Sequence, residues 1–126
     1  ILISYIIHFL IKNYYYFPKI GLIKVVTYCI YIVMKYIWDE NKNKINIKKH
    51  SIDFDDAIEM FNYPLLTCID QRKNYKEERW VGIGFLKGII AVIVYIEDDE
   101  NEIIRIISCR RATKNEREKF KETLGY

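Results

Sequence analysis

The chain has 126 residues, 51% of them hydrophobic and 29% charged, a size and mixture that fit one globular domain and exclude a disordered or fibrous chain. Net charge is +3, but Lys12, Lys19 and Lys24 stand in an acid-free first stretch, and the 17 basic and 17 acidic residues that follow cancel. Binding to nucleic acid by bulk charge is thereby excluded, and any such contact must come from a local basic patch.

Residues 1–33, ILISYIIHFLIKNYYYFPKIGLIKVVTYCIYIV, differ from the rest in composition and lack both an acid and an initial methionine. Residues 20–37 are long enough to span a bilayer but carry Lys24 and Lys35. Residues 1–11 have the length of a signal-peptide core without a basic start or a small-residue cleavage site. The expectation adopted is a third one, in-frame translation of AT-rich DNA upstream of a start at Met34. Residues 34–126 then form the domain, and 1–33 are a non-core extension.

From Met34 the elements read as follows. A short strand at 35–38 meets Asp39, a helix N-cap, and ENKNKINIKK forms a polar helix ending near His50-Ser51, with Ile45 and Ile47 as its expected core contacts. Asp53 is a second N-cap, with Asp55 and Asp56 in the first turn where the helix dipole favours acids. Phe54, Ala57, Ile58 and Phe61 follow at i, i+3, i+4 and i+7, an amphipathic stripe that Asn62-Tyr63-Pro64 stops. LLTCID (65–70), RWVGIGFL (79–86), IIAVIVYIE (89–97) and EIIRIISC (102–109) are strands with short connections, which imply an antiparallel meander. Thr113 and Glu116 spell a capping box for a last helix whose core contacts are Phe120 and Leu124. The predicted class is α+β, an antiparallel sheet in the order β-α-α-β-β-β-β-α with helices packed on it.

Strand alternation, if the strand continues that far, points Arg105, Cys109 and Arg111 one way and Arg110 the other. Arg110 and Arg111 stand just before the Thr113 cap, where free N–H groups and the positive end of a helix dipole suit a phosphate. The plainer alternative pairs both arginines with Glu97, Asp98 or Glu102 and leaves them as fasteners of the sheet. His50 follows Lys48 and Lys49, whose charge disfavours an imidazolium, so a neutral His50 could accept a proton; equally, it could simply finish its helix. Glu77, Glu78 and Arg79 stand where a polar loop enters a strand, either a site on a rigid scaffold or a solvated strand end.

Other chemistries lack their signatures. There is no P-loop, GxGxxG or GxSxG, and Gly82 and Gly84 in VGIGF read as a place for close packing. Cysteines at 29, 68 and 109 are odd in number and too far apart for a zinc pair, and the only histidines are His8 and His50. No metal or cofactor is expected, and a reducing cytoplasm is the expected location.

WDENKNKINIKKH, FDDAIEMFNYPL, EERWVGIGF and IIRIISCRRATKNERE together resemble, in order and spacing, the BrnT family, ribonuclease toxins of type II toxin–antitoxin systems related in fold to RelE-type toxins. The resemblance runs from Met34 to about Phe120. Family members commonly have glycine where Ser51 and Lys76 stand here, and alanine where Cys109 stands. The resemblance implies metal-independent RNA cleavage by attack of a ribose 2′-hydroxyl on its own phosphate. It implies Arg110 and Arg111 on the scissile phosphate, supported by Arg79, with His50 or Glu78 as base or acid. Lys48, Lys49 and Arg105 would contact flanking RNA. The implied partner is a BrnA-type ribbon-helix-helix antitoxin, with operator DNA bound through the antitoxin complex and no membrane.

Overall fold

A computed structural model describes residues 24–26, 34–71 and 76–125. Apart from 24–26, the expected extension at 1–33, with its signal-peptide reading and most of its membrane reading, lies outside the described residues. The described part of 20–37 includes residues of two strands, Lys24–Val26 (β1) and Lys35–Trp38 (β2). Among the described residues no helix is long and apolar enough to cross a membrane.

Helix α1 (Glu40–His50) starts at Asp39, whose carboxylate accepts from the Lys42 N–H, and stops at Ser51 in the left-handed region at φ 57°. The stripe beginning at Phe54 is helical in two ways: one α-turn, α2 (Phe54–Ala57), tightens into a 3₁₀ segment at Ile58–Asn62 before Pro64. Then come β3 (Leu65–Ile69), β4 (Trp80–Leu86), β5 (Ile89–Asp98), β6 (Ile103–Arg111) and α3 (Lys114–Leu124). Lys87 and Gly88, at φ 44° and 81°, make the tight β4–β5 hairpin with both central residues at positive φ.

The meander β3-β4-β5-β6 is antiparallel as expected, but the sheet as a whole is not. β2 lies beside β6 and runs parallel to it, and β1 adds to β3, giving the order β1-β3-β4-β5-β6-β2. The sheet is therefore mixed. Parallel pairing needs a long connection, and two helices and three strands separate β2 from β6 in the chain. Aromatic packing pins β2 there: Tyr36 meets the Phe61 ring at 5.3 Å, and Trp38 stands edge-on to Phe54 at 6.2 Å.

One face of the sheet packs on α1, α2 and the 3₁₀ segment around Phe54, Phe61, Leu65, Ile93, Tyr95, Ile104 and Ile106. The other face is covered at one end by α3, where Phe120 meets Phe85 at 5.1 Å above Leu66, Ile90 and Val92. Gly82 and Gly84 do serve close packing, though a strand neighbour is nearest. A Cβ on Gly84 would sit 2.8 Å from a methyl of Leu65 and 3.7 Å from Met60.

Two expectations fail here. Ile45 and Ile47 do not face the core: they are 54% and 40% exposed, and α1 instead buries Asn43 and Asn46, at 3% and 5%. Carboxamides replace methyl groups at this contact because the surfaces under α1 are backbone polar groups, as the next section details. The alternation along β6 also changes. Tyr95 pairs with Ile106 but Val94 with Ser108, so Ile107 is an extra residue in a β-bulge. The bulge reverses the parity, placing Arg105 and Arg110 on one face and Cys109 and Arg111 on the other.

Candidate functional site

The arginine pair is split by its strand. Arg110 points to the α3 side and forks onto Glu116, Nη1 to Oε1 at 2.8 Å and Nη2 to Oε2 at 3.0 Å. Its Nη1 also reaches the Arg111 carbonyl at 3.1 Å. The same Glu116 completes the predicted capping box, accepting from the Thr113 N–H at 2.8 Å while its own N–H donates to Thr113 Oγ1. The Arg110 fork, followed by burial opposing it and by the Thr113 bonds, brings the Glu116 carboxyl down to about 2. A carboxylate of the chain thus already occupies the expected anion corner. Glu116, six residues further along the chain, is a partner of Arg110; the plainer alternative had named Glu97, Asp98 or Glu102.

Arg111 is exposed on the opposite face at the end of β6. What comes alongside this end is α1, and Asn46 holds it there. The Asn46 amide donates to the Cys109 carbonyl at 2.9 Å and to the Ile52 carbonyl at 2.8 Å, and its Oδ1 accepts the Cys109 N–H at 3.1 Å. β2 pairs with β6 only as far as Ile106, so Cys109 would otherwise present two buried backbone groups to a missing neighbour. Asn43, one turn earlier, accepts the Phe54 N–H at 2.9 Å and donates to Asp53 at 3.0 Å. The Asp53 carboxyl is lowered by the Asp55 N–H first and by Asn43 second.

The last turn of α1 carries Lys48, Lys49 and His50. His50 is half-buried and one turn beyond Asn46 on the same helix face. Four helical residues advance about 6 Å, and the two strand residues from Cys109 to Arg111 advance about the same distance. The Asn46–Cys109 bonds thus join the stretch of α1 that leads to Lys48, Lys49 and His50 to the stretch of β6 that leads to Arg110 and Arg111. Cys109 itself is no nucleophile, since burial pushes its thiol up to about 12 and its sulfur packs 3.7 Å from that of Met60.

Glu78, Arg79 and Arg105 belong to the other end. Arg79 precedes Trp80, which is level with Ile106, whereas Arg111 is level with Gly84. At about 3.3 Å per residue these ends lie roughly 16 Å apart along the strands. Glu78 is exposed, Arg79 half-buried with its carbonyl accepting the Asp70 N–H, and Arg105 paired with Glu77 at 2.8 Å. The structure does not bring Arg79 and Glu78 to the arginine pair. Asn46 and Glu116 were missed as site residues. Glu116 was legible as a cap but not as the partner of Arg110, and nothing local marks Asn46 in a run of polar residues.

Among the described residues no group of three or more His, Cys, Asp or Glu side chains is arranged to hold a metal ion. Among curated proteins, none matches the chain. A family model described as the ribonuclease toxin BrnT of type II toxin–antitoxin systems matches residues 38–116, from the end of β2 through the Glu116 cap, and the chain belongs to that family.

Proposed function

We propose that this chain is an endoribonuclease that cleaves RNA without a metal, by attack of a ribose 2′-hydroxyl on the adjacent phosphate. The carrying observation is that Asn46 bonds the stretch of α1 leading to Lys48, Lys49 and His50 to the stretch of β6 leading to the exposed Arg111. Arg111 grips the scissile phosphate and offsets the charge that builds on it in the pentacovalent state. His50 takes the 2′-hydroxyl proton, the new P–O bond displaces the 5′-oxygen, and that oxygen leaves with a proton returned from the imidazolium or water. The products are a 2′,3′-cyclic phosphate and a free 5′-hydroxyl. Lys48 and Lys49 hold neighbouring phosphates, so binding weakens as salt rises.

Arg110, forked onto Glu116, builds the corner. Glu78, Arg79 and Arg105, a strand length away, serve a longer RNA rather than the bond being cut. A toxin of a type II system has an antitoxin partner; we infer that it is of the BrnA type, a ribbon-helix-helix protein through which the complex contacts operator DNA. The same reading puts the protein in the cytoplasm and makes its fold kin to RelE-type toxins.

The test is incubation of the full chain with total RNA in EDTA, beside Arg111→Ala and His50→Gln versions. Cyclic-phosphate ends from the first and intact RNA from the variants is the expected result. Intact RNA from all three would overturn the enzyme reading. It would favour a catalytically inactive, antitoxin-binding corepressor, a reading to which Glu116 in the anion corner already lends weight.

A further inference from the structure

The proposed chemistry needs His50 and Arg111 at a fixed separation, yet they end different elements, α1 and β6. A buried side chain, Asn46, joins those elements close in sequence to both residues. Asn46 lies four residues before His50 and bonds Cys109, two residues before Arg111. An apolar residue at this helix–sheet contact would leave the Cys109 N–H and C=O buried without a partner, so the amide satisfies both. What the amide adds is registration. A hydrophobic contact lets a helix slide or roll over a sheet, whereas two opposed bonds to one residue's N–H and C=O fix both motions, as a neighbouring strand would. The third bond, to the Ile52 carbonyl, ties in the chain just after the left-handed Ser51 end of the same helix.

We propose that Asn46 is a positioning residue of the ribonuclease site, setting the distance between the proton-transfer group on α1 and the phosphate-gripping Arg111 on β6. The inference rests on the reading of the chain as a ribonuclease. Asn46 touches no substrate. Its loss shifts the last turn of α1 relative to β6, and a displacement on the order of 1 Å is enough to lower a rate about 100-fold.

The experiment uses the full chain made by cell-free synthesis, as wild type and as Asn46→Ala. Single-turnover cleavage of a short RNA is measured alongside affinity for the same RNA carrying a 2′-deoxy substitution at the cut site. Rates are divided by the folded fraction from circular dichroism. For Asn46→Ala the expected result is a cleavage rate about 100-fold lower with affinity kept within about threefold. An equal loss in affinity, or a rate within about threefold of wild type, would overturn the positioning role and leave the ribonuclease reading standing. Wild type that cleaves nothing would instead bring down the reading itself. Should Asn46→Ala not fold, Asn46→Ser keeps an acceptor for the Cys109 N–H and takes its place. Amide exchange at Cys109 in the wild type needs no variant: protection like that of the β5 core is expected, and exchange as fast as an exposed loop would refute the clip.

Discussion

Replacing Glu116 by glutamine removes one charge while keeping an oxygen for the Thr113 N–H, and so isolates the fork with Arg110. A carboxyl brought from 4.5 to about 2 corresponds to at most roughly 3 kcal/mol of stability at neutral pH. The two side chains are 27% and 37% exposed, so solvent screening reduces this to about 1–2 kcal/mol. The folded value lies below the unfolded one, so the contribution is complete above pH 4.5 and disappears as pH falls towards 2. Urea unfolding of wild type and Glu116→Gln should therefore show a gap of about 1–2 kcal/mol at pH 7 that closes on acidification. Other carboxylates titrate in the same range, but they are common to both proteins and cancel in the difference. A double-mutant cycle with Arg110→Ala should return most of the gap as coupling. A gap under about 0.3 kcal/mol at pH 7, or one that stays constant down to pH 2, would refute the argument that Glu116 is the anion held by Arg110.

Three other outcomes are expected. Ser51→Gly should raise stability by about 0.5–1 kcal/mol in thermal or urea unfolding, because Ser51 sits at φ 57° where glycine carries no Cβ penalty. Gly84→Ala should lower it by about 1–3 kcal/mol, since the new Cβ would meet Leu65 at 2.8 Å and the Pro64 carbonyl at 3.3 Å. Arg111→Ala should abolish cleavage while unfolding stays within about 0.5 kcal/mol of wild type, as expected for an exposed residue at a strand end; a large loss of stability would return Arg111 to a structural role.

The sequence by itself determined what short-range chemistry controls. Asp39, Asp53 and Thr113 cap helices because a side-chain oxygen reaches N–H groups two or three residues away. The turn at Lys87-Gly88 between two β-rich runs follows from local rules within a few residues. Four quoted segments in order were enough to carry the family. What only the tertiary structure decided concerns neighbours distant in the chain. β2 could have met any edge, and it is Tyr36 and Trp38 packing on Phe61 and Phe54 that set it parallel to β6. The bulge at Ile107 turns Arg105 to the face of Arg110 and leaves Arg111 with the α1 side, a parity that counting along the strand gets wrong. Asn43 and Asn46 displace Ile45 and Ile47 from the core because the surface they meet is polar: for Asn46 the Cys109 N–H and C=O left open where β2 ends, for Asn43 the Phe54 N–H and the Asp53 carboxylate. Hydrophobic periodicity registers how much surface is buried, not which polar groups wait on the other side, and here those groups decide which face of α1 turns inward.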